Sequence, residues 1–172
     1  MNRQLLFSFV AMMSLMMIFP KIPAEAQKMS DDPIHHFEGS WQGTGKFSGM
    51  AATAQSQWEW VLAGQFLRLS LRYEMKTPNG GKQSFEGHGY YQAKGAGRFE
   101  GRWFDSRGNT YPINGTLENN TLTSLWGESD KVTGRSIYNI NEAEKTLEIA
   151  DAIHQPDGAW KEFSRFKLTR GR

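Results

Sequence analysis

With no cysteine in the chain to act as nucleophile or soft metal ligand, any chemistry must come from histidines, carboxylates and hydroxyls. Glu86, His88 and Tyr90 stand two residues apart, so a strand carries all three on one face. A carboxylate, an imidazole and a phenol in a row can pass protons if that face lines a cavity. Facing solvent, the same row is a polar exterior, with Phe85 on the opposite face. Alternation alone does not say which face is inside. Glu86 and His88 are therefore the weak candidates for a catalytic acid–base pair. His35 and His36, in Asp31-Asp32-Pro33-Ile34-His35-His36-Phe37-Glu38, mix nitrogen and oxygen metal-ligand types. Adjacent histidines on a flexible segment do not preform a tetrahedral site, so no metal is expected. His154 precedes a Gln155-Pro156 turn and reads as a rim residue.

Covalent and phosphate chemistry have no support. No Gly-x-Ser-x-Gly elbow occurs. Gly43-Thr44-Gly45 sits in an extended pattern rather than ahead of a helix, which fails the context of a dinucleotide loop. Asn114-Gly115-Thr116 and Asn119-Asn120-Thr121 match the glycosylation sequon but read as turn chemistry.

The elements that would hold these residues are strands. Leu67, Leu69, Leu71, Tyr73 and Met75 alternate with Arg68, Ser70, Arg72, Glu74 and Lys76, a half-buried, half-wet strand. Gln55 to Leu62 alternates as well, with Trp58, Trp60 and Leu62 on one face. Runs at Gly39 to Phe47, Gln83 to Gln92, Arg98 to Asp105, Thr110 to Leu117, Thr121 to Gly127, Thr133 to Ile140, Thr146 to Ile153 and Trp160 to Thr169 are punctuated by Gly-, Asn-, Asp- and Pro-rich turns. A turn every ~8–12 residues marks an all-β sandwich or barrel. Short connections make neighbours antiparallel. About ten meander strands favour a single up-and-down barrel, because closure removes exposed edges.

The N-terminus points to export. A short basic start, an apolar run from Leu5 to Pro20 and a small-x-small Ala24-Glu25-Ala26 form a signal peptide over residues 1–26. The run is shorter than the ~20 residues that cross a bilayer, so no stable membrane insertion is expected after cleavage. A flexible lead-in over 27–37 and a barrel domain over 38–172 follow. The location is then periplasmic or secreted. Basic and acidic residues nearly balance, 20 against 18. Arg68, Arg72, Arg98, Arg102 and Arg135 are interleaved with carboxylates, which leaves no basic face for nucleic acid. Arg68, Arg72, Arg98 and Arg102 read as a wet outer face, or as anion-binding groups if the polar side is the interior. Trp58, Trp60, Tyr73, His88, Trp103 and Trp126 are the candidate lining of an internal site, although large aromatics also fill any small barrel.

The order of these features resembles a calycin-type, lipocalin-like barrel. It resembles more closely the bacterial family catalogued as domain of unknown function 1579. The resemblance rests on Glu38-Gly39-Ser40-Trp41-Gln42-Gly43-Thr44-Gly45, Val61-Leu62-Ala63-Gly64-Gln65-Phe66-Leu67, Glu86-Gly87-His88-Gly89-Tyr90, Phe99-Glu100-Gly101-Arg102-Trp103-Phe104-Asp105-Ser106 and Pro156-Asp157-Gly158 with Arg170. It implies a barrel with an internal cavity and no assigned activity. Gly39-Ser40-Trp41 is similar to the Gly-x-Trp of lipocalins, whose tryptophan closes one barrel end beneath an arginine of the last strand. That implies barrel closure by Trp41 with Arg170 or Arg165. Trp41-Gln42-Gly43-Thr44-Gly45 is also similar to the start of nitrobindin-type haem-binding barrels, but Glu162-Phe163-Ser164-Arg165 lacks their proximal histidine. The expectation is a binder of a small, partly apolar molecule with no cofactor. The alternatives are a haem barrel, an enzyme using the His88/Glu86 pair, and a non-catalytic interaction module.

Overall fold

The computed structural model describes residues 33–128 and 131–171. The expected signal peptide and most of the lead-in lie outside the described residues. Ten strands follow one another: β1 (Gly39–Phe47), β2 (Met50–Val61), β3 (Phe66–Lys76), β4 (Lys82–Gly95), β5 (Arg98–Asp105), β6 (Thr110–Glu118), β7 (Thr121–Glu128), β8 (Lys131–Asn141), β9 (Thr146–His154) and β10 (Trp160–Arg170). Each pairs antiparallel with its sequence neighbours, and β1 pairs with β10 to close the barrel. The fold class read from turn spacing is therefore the one observed.

The period-two pattern decides which side chains enter the core. Leu67, Leu69, Leu71, Tyr73 and Met75 of β3 are buried, and Arg68 and Arg72 turn outward to Glu59, Glu74 and Glu86. Where β1 and β10 meet, the interior positions of β1 between Trp41 and Phe47 are Gly43 and Gly45. A Cβ on Gly43 would lie 2.1 Å from the Lys167 carbonyl oxygen, and one on Gly45 2.1 Å from that of Arg165. The two strands thus close the barrel with Phe166 and Leu168 packed over bare backbone.

Three expectations need correction. The lead-in does not extend to residue 37 as a flexible segment. Pro33–Phe37 is a short 3-10 helix whose Ile34 and Phe37 are buried in the core. Its two apolar side chains, three residues apart, both enter the core. Leu62 does not continue the face of Trp58 and Trp60. It lies in a turn at φ 52° and is exposed. Strand β2 also starts at Met50, five residues before its expected start. After Met50 its first residues are Ala51, Ala52, Thr53 and Ala54, which give little hydropathy contrast. The hairpin before it is the two-residue Ser48-Gly49, both at positive φ, as a tight turn between twisted strands requires.

Candidate functional site

One end of the barrel is plugged. The 3-10 helix lies across it, and the Trp41 indole N–H donates to the Phe37 carbonyl at 2.8 Å. The β1–β10 register sets Arg170 opposite Trp41, and its guanidinium stands 4.4 Å over the indole ring. The same guanidinium donates to the carbonyls of Glu38 at 2.6 Å and His36 at 2.7 Å. Trp60 donates to the Glu38 carboxylate at 2.9 Å, and His35 also bonds that carboxylate. His36 pairs with Glu142 at 2.6 Å. Both lead-in histidines thus pin the plug to the rim. Arg165 instead points outward and pairs with Glu162.

Beneath the plug sits Trp58, buried between Phe37, Tyr91 and Tyr138 with ring centroids 5.1–5.9 Å away. Beyond it, toward the opposite end, the interior opens into a cavity of about 390 Å³. Its walls are aromatic and aliphatic, with Phe47, Phe85, Trp103, Tyr111, Trp126 and Phe163 prominent. Glycines make this space. Gly134 faces Trp126 across β7 and β8, and a Cβ there would fall 2.2 Å from the indole. Gly87 does the same for Trp103, at 2.0 Å. Both indoles lie flat against bare backbone instead of filling the barrel.

The floor is polar. Asp151 lies on the inward face of β9 between Ile149 and Ile153, and is 6% exposed. Tyr73 donates to its Oδ2 at 3.1 Å, and Ser164 donates to the same oxygen. The Trp126 indole N–H donates to Ser136 at 3.2 Å, and Ser136 stands directly across the β8–β9 ladder from Asp151. Tyr91 donates to Ser124 at 3.2 Å beside them. Burial pushes the Asp151 carboxyl above its usual range, while Ser136, Ser164 and Tyr73 pull it back down. Burial raises the phenols too: Tyr91 to about 12, and Tyr73 and Tyr138 well above their ordinary value. The tyrosines are therefore neutral hydroxyl donors at any ordinary pH.

The mouth is shaped by the β5–β6 loop. Asp105 Oδ1 accepts the backbone N–H of Arg107 at 2.9 Å and of Asn109 at 3.1 Å, and Gly108 takes φ 83° to complete the turn. That turn sets the Arg107 guanidinium 5.4 Å from the Phe85 ring centroid at the cavity edge.

Of the residues expected to line the site, Tyr73, Trp103 and Trp126 meet in the cavity. Trp58 lies under its floor, and Trp60 belongs to the plug. His88 and Glu86 do not reach it: they sit on the outer wall, where His88 bonds Ser70 at 3.0 Å and Glu86 pairs with Arg72. The inward positions of β4 are Phe85, Gly87, Gly89 and Tyr91, so the acid–base row faces solvent. His154 also points outward, against Trp160. Among the described residues, no three or more His, Cys, Asp or Glu side chains are grouped to hold a metal ion. Sequence reasoning passed over Asp151. Its signal was present as a lone acid on the same parity as Leu147, Ile149 and Ile153.

No family model matches the chain, and no curated protein matches it. Among solved structures it is similar to the crystal structure of Rv2717c from M. tuberculosis, at 16% identity with a TM-score of 0.58. The match covers 88% of this chain and 99% of that one. At that identity the likeness is one of fold, a ten-stranded antiparallel barrel.

Proposed function

We propose that this protein is an exported, non-catalytic barrel that binds one small, partly apolar molecule in its interior. The observation that carries the reading is the cavity itself: aromatic walls, a cluster of convergent polar groups around Asp151, and one open end. Natural small-molecule sites share this composition, and ~300–1,000 Å³ is their usual size. The signal-peptide pattern over residues 1–26 supports a periplasmic or secreted location. The resemblance to the domain of unknown function 1579 family fits the same picture, and that family's activity is itself unassigned. A histidine-held haem of the nitrobindin type fits poorly, since none of the four histidines lines the cavity.

The test is native mass spectrometry of the protein recovered gently from its own host. A reproducible added mass, lost on denaturation, supports the reading and identifies the ligand. A bare mass from every preparation, together with no binding in a screen of small aromatic and aliphatic compounds, refutes it.

A further inference from the structure

We infer that the ligand carries a cationic head, an organic ammonium on an apolar or aromatic arm, with the cation seated at Asp151. The inference rests on the cavity reading above and specifies its ligand class. Asp151 is a buried carboxylate in an apolar-walled cavity; the groups that bond it, Tyr73 and Ser164, and the Ser136 opposite it are all neutral hydroxyls. Tyr73 and Ser164 both donate to Oδ2, and neither donates to Oδ1. No ion pair joins Asp151 to any described residue. Among the described residues, the one cation lining the cavity, Arg107, is held at the mouth over Phe85 by the Asp105 turn. A buried charge without a counter-charge is expensive, and a ligand that brings one removes the penalty.

The surroundings suit a cation twice over. Tyr73, Tyr91, Trp103, Tyr111, Trp126 and Tyr138 present ring faces and edges around the same space, and aromatic faces attract ammonium groups. The phenols and Asp151 supply acceptors for the N–H groups of a primary or secondary amine. An anionic head would meet the carboxylate at the floor instead. Arg107 at the entrance would favour only its outer end.

Three probes of one shape decide it: 2-phenylethylamine, 2-phenylethanol and 3-phenylpropionate, titrated calorimetrically into the full chain produced in its own host, and into Asp151→Asn. The expected result is a dissociation constant for the amine at least tenfold below that of the alcohol, with the acid weakest. Asp151→Asn should erase the amine's advantage and leave the alcohol's affinity within about threefold. If the alcohol or the acid binds the unaltered protein as tightly as the amine, the cationic assignment is overturned and the binding cavity stands. If none of the three binds the folded protein, the cationic assignment is overturned, and the cavity reading stands or falls with the native mass. The ranking on the unaltered chain decides the question by itself should the variant fail to fold.

Discussion

Adding one methyl group at Gly134 tests whether the cavity is held open by flat indoles. The new Cβ would stand 2.2, 2.3 and 2.7 Å from Cζ2, Cη2 and Cε2 of Trp126. Carbon atoms pack at ~3.5–4.0 Å, so the ring must retreat by roughly 1.5 Å. Backbone blocks the outward direction, leaving only the cavity. The Trp126–Ser136 hydrogen bond, already 3.2 Å long, then breaks. Overpacking costs about 1–3 kcal/mol and the lost bond about 1 kcal/mol more, so Gly134→Ala should destabilise by about 2–4 kcal/mol. For a domain of this size that lowers Tm by roughly 6–12 °C. Gly115→Ala is the control. It is also an inward strand glycine, but its Cβ would meet Phe99 at 3.3 Å and Leu122 at 3.5 Å, contacts that a small shift relieves. Its Tm should stay within about 2 °C of the parent, because reduced freedom of the unfolded chain offsets the crowding. The assay is thermal unfolding by circular dichroism, paired with indole N–H exchange of Trp126 by NMR. Replacing Trp126 by Phe in the Gly134→Ala background should recover at least half the loss. Equal melting of Gly134→Ala and Gly115→Ala, or an unchanged Trp126 exchange rate, would refute the reasoning.

Arg170→Ala should destabilise by about 2–4 kcal/mol in urea unfolding, since it removes a cation–π contact and two charge-assisted bonds that tie down the 3-10 helix. Arg165→Ala, on the same strand, breaks only an exposed pair and should cost less than about 1 kcal/mol; the reverse order would remove the closure role from Arg170. Asp151→Asn should change the pH profile with a definite sign. Burial raises the folded carboxyl's pKa above that of the unfolded chain, so the folded state holds the extra proton. Parent stability therefore falls as pH rises from the ordinary carboxylate value through the raised one, by at most about 1.4 kcal/mol per pH unit, then levels. The difference between Asp151→Asn and the parent should grow in the variant's favour across that window, and a difference flat from pH 3 to 8 would show that Asp151 is not strained by burial. His88→Ala, on the outer wall, should shift stability by less than about 0.5 kcal/mol and leave the affinity for any cavity ligand unchanged, as isothermal titration would report.

The strand pattern was legible because its signal is local. Leu67 to Lys76 states its two faces within ten residues, and Arg98–Asp105 needed no change at either end. The plug was half legible: Trp41 and Arg170 could be paired by resemblance, but the 3-10 helix also needs Trp58 packed against Phe37 and the Arg170 guanidinium on the His36 carbonyl, 134 residues apart in sequence. The inward face of β4 was not legible. Two of its four inward positions are Gly87 and Gly89, which carry no hydropathy, while the outward face bears the conspicuous Glu86, His88 and Tyr90. Chemistry-bearing residues drew attention to the wet side because the dry side had been emptied for Trp103.

Asp151 shows the same limit in a sharper form. Its hydroxyl partners come from positions 78 and 13 residues away in sequence, so nothing near Ile149-Ala150-Asp151-Ala152-Ile153 announces a network. Only the barrel register converts a lone acid on an apolar parity into a carboxylate ringed by Tyr73, Ser136 and Ser164. Had the barrel needed stability alone, an aliphatic residue there would have served at lower cost, since burying a charge without a counter-charge gives up stability that packing would supply. An acid held where cavity, aromatic rings and hydroxyls converge is what the proposed ligand site requires.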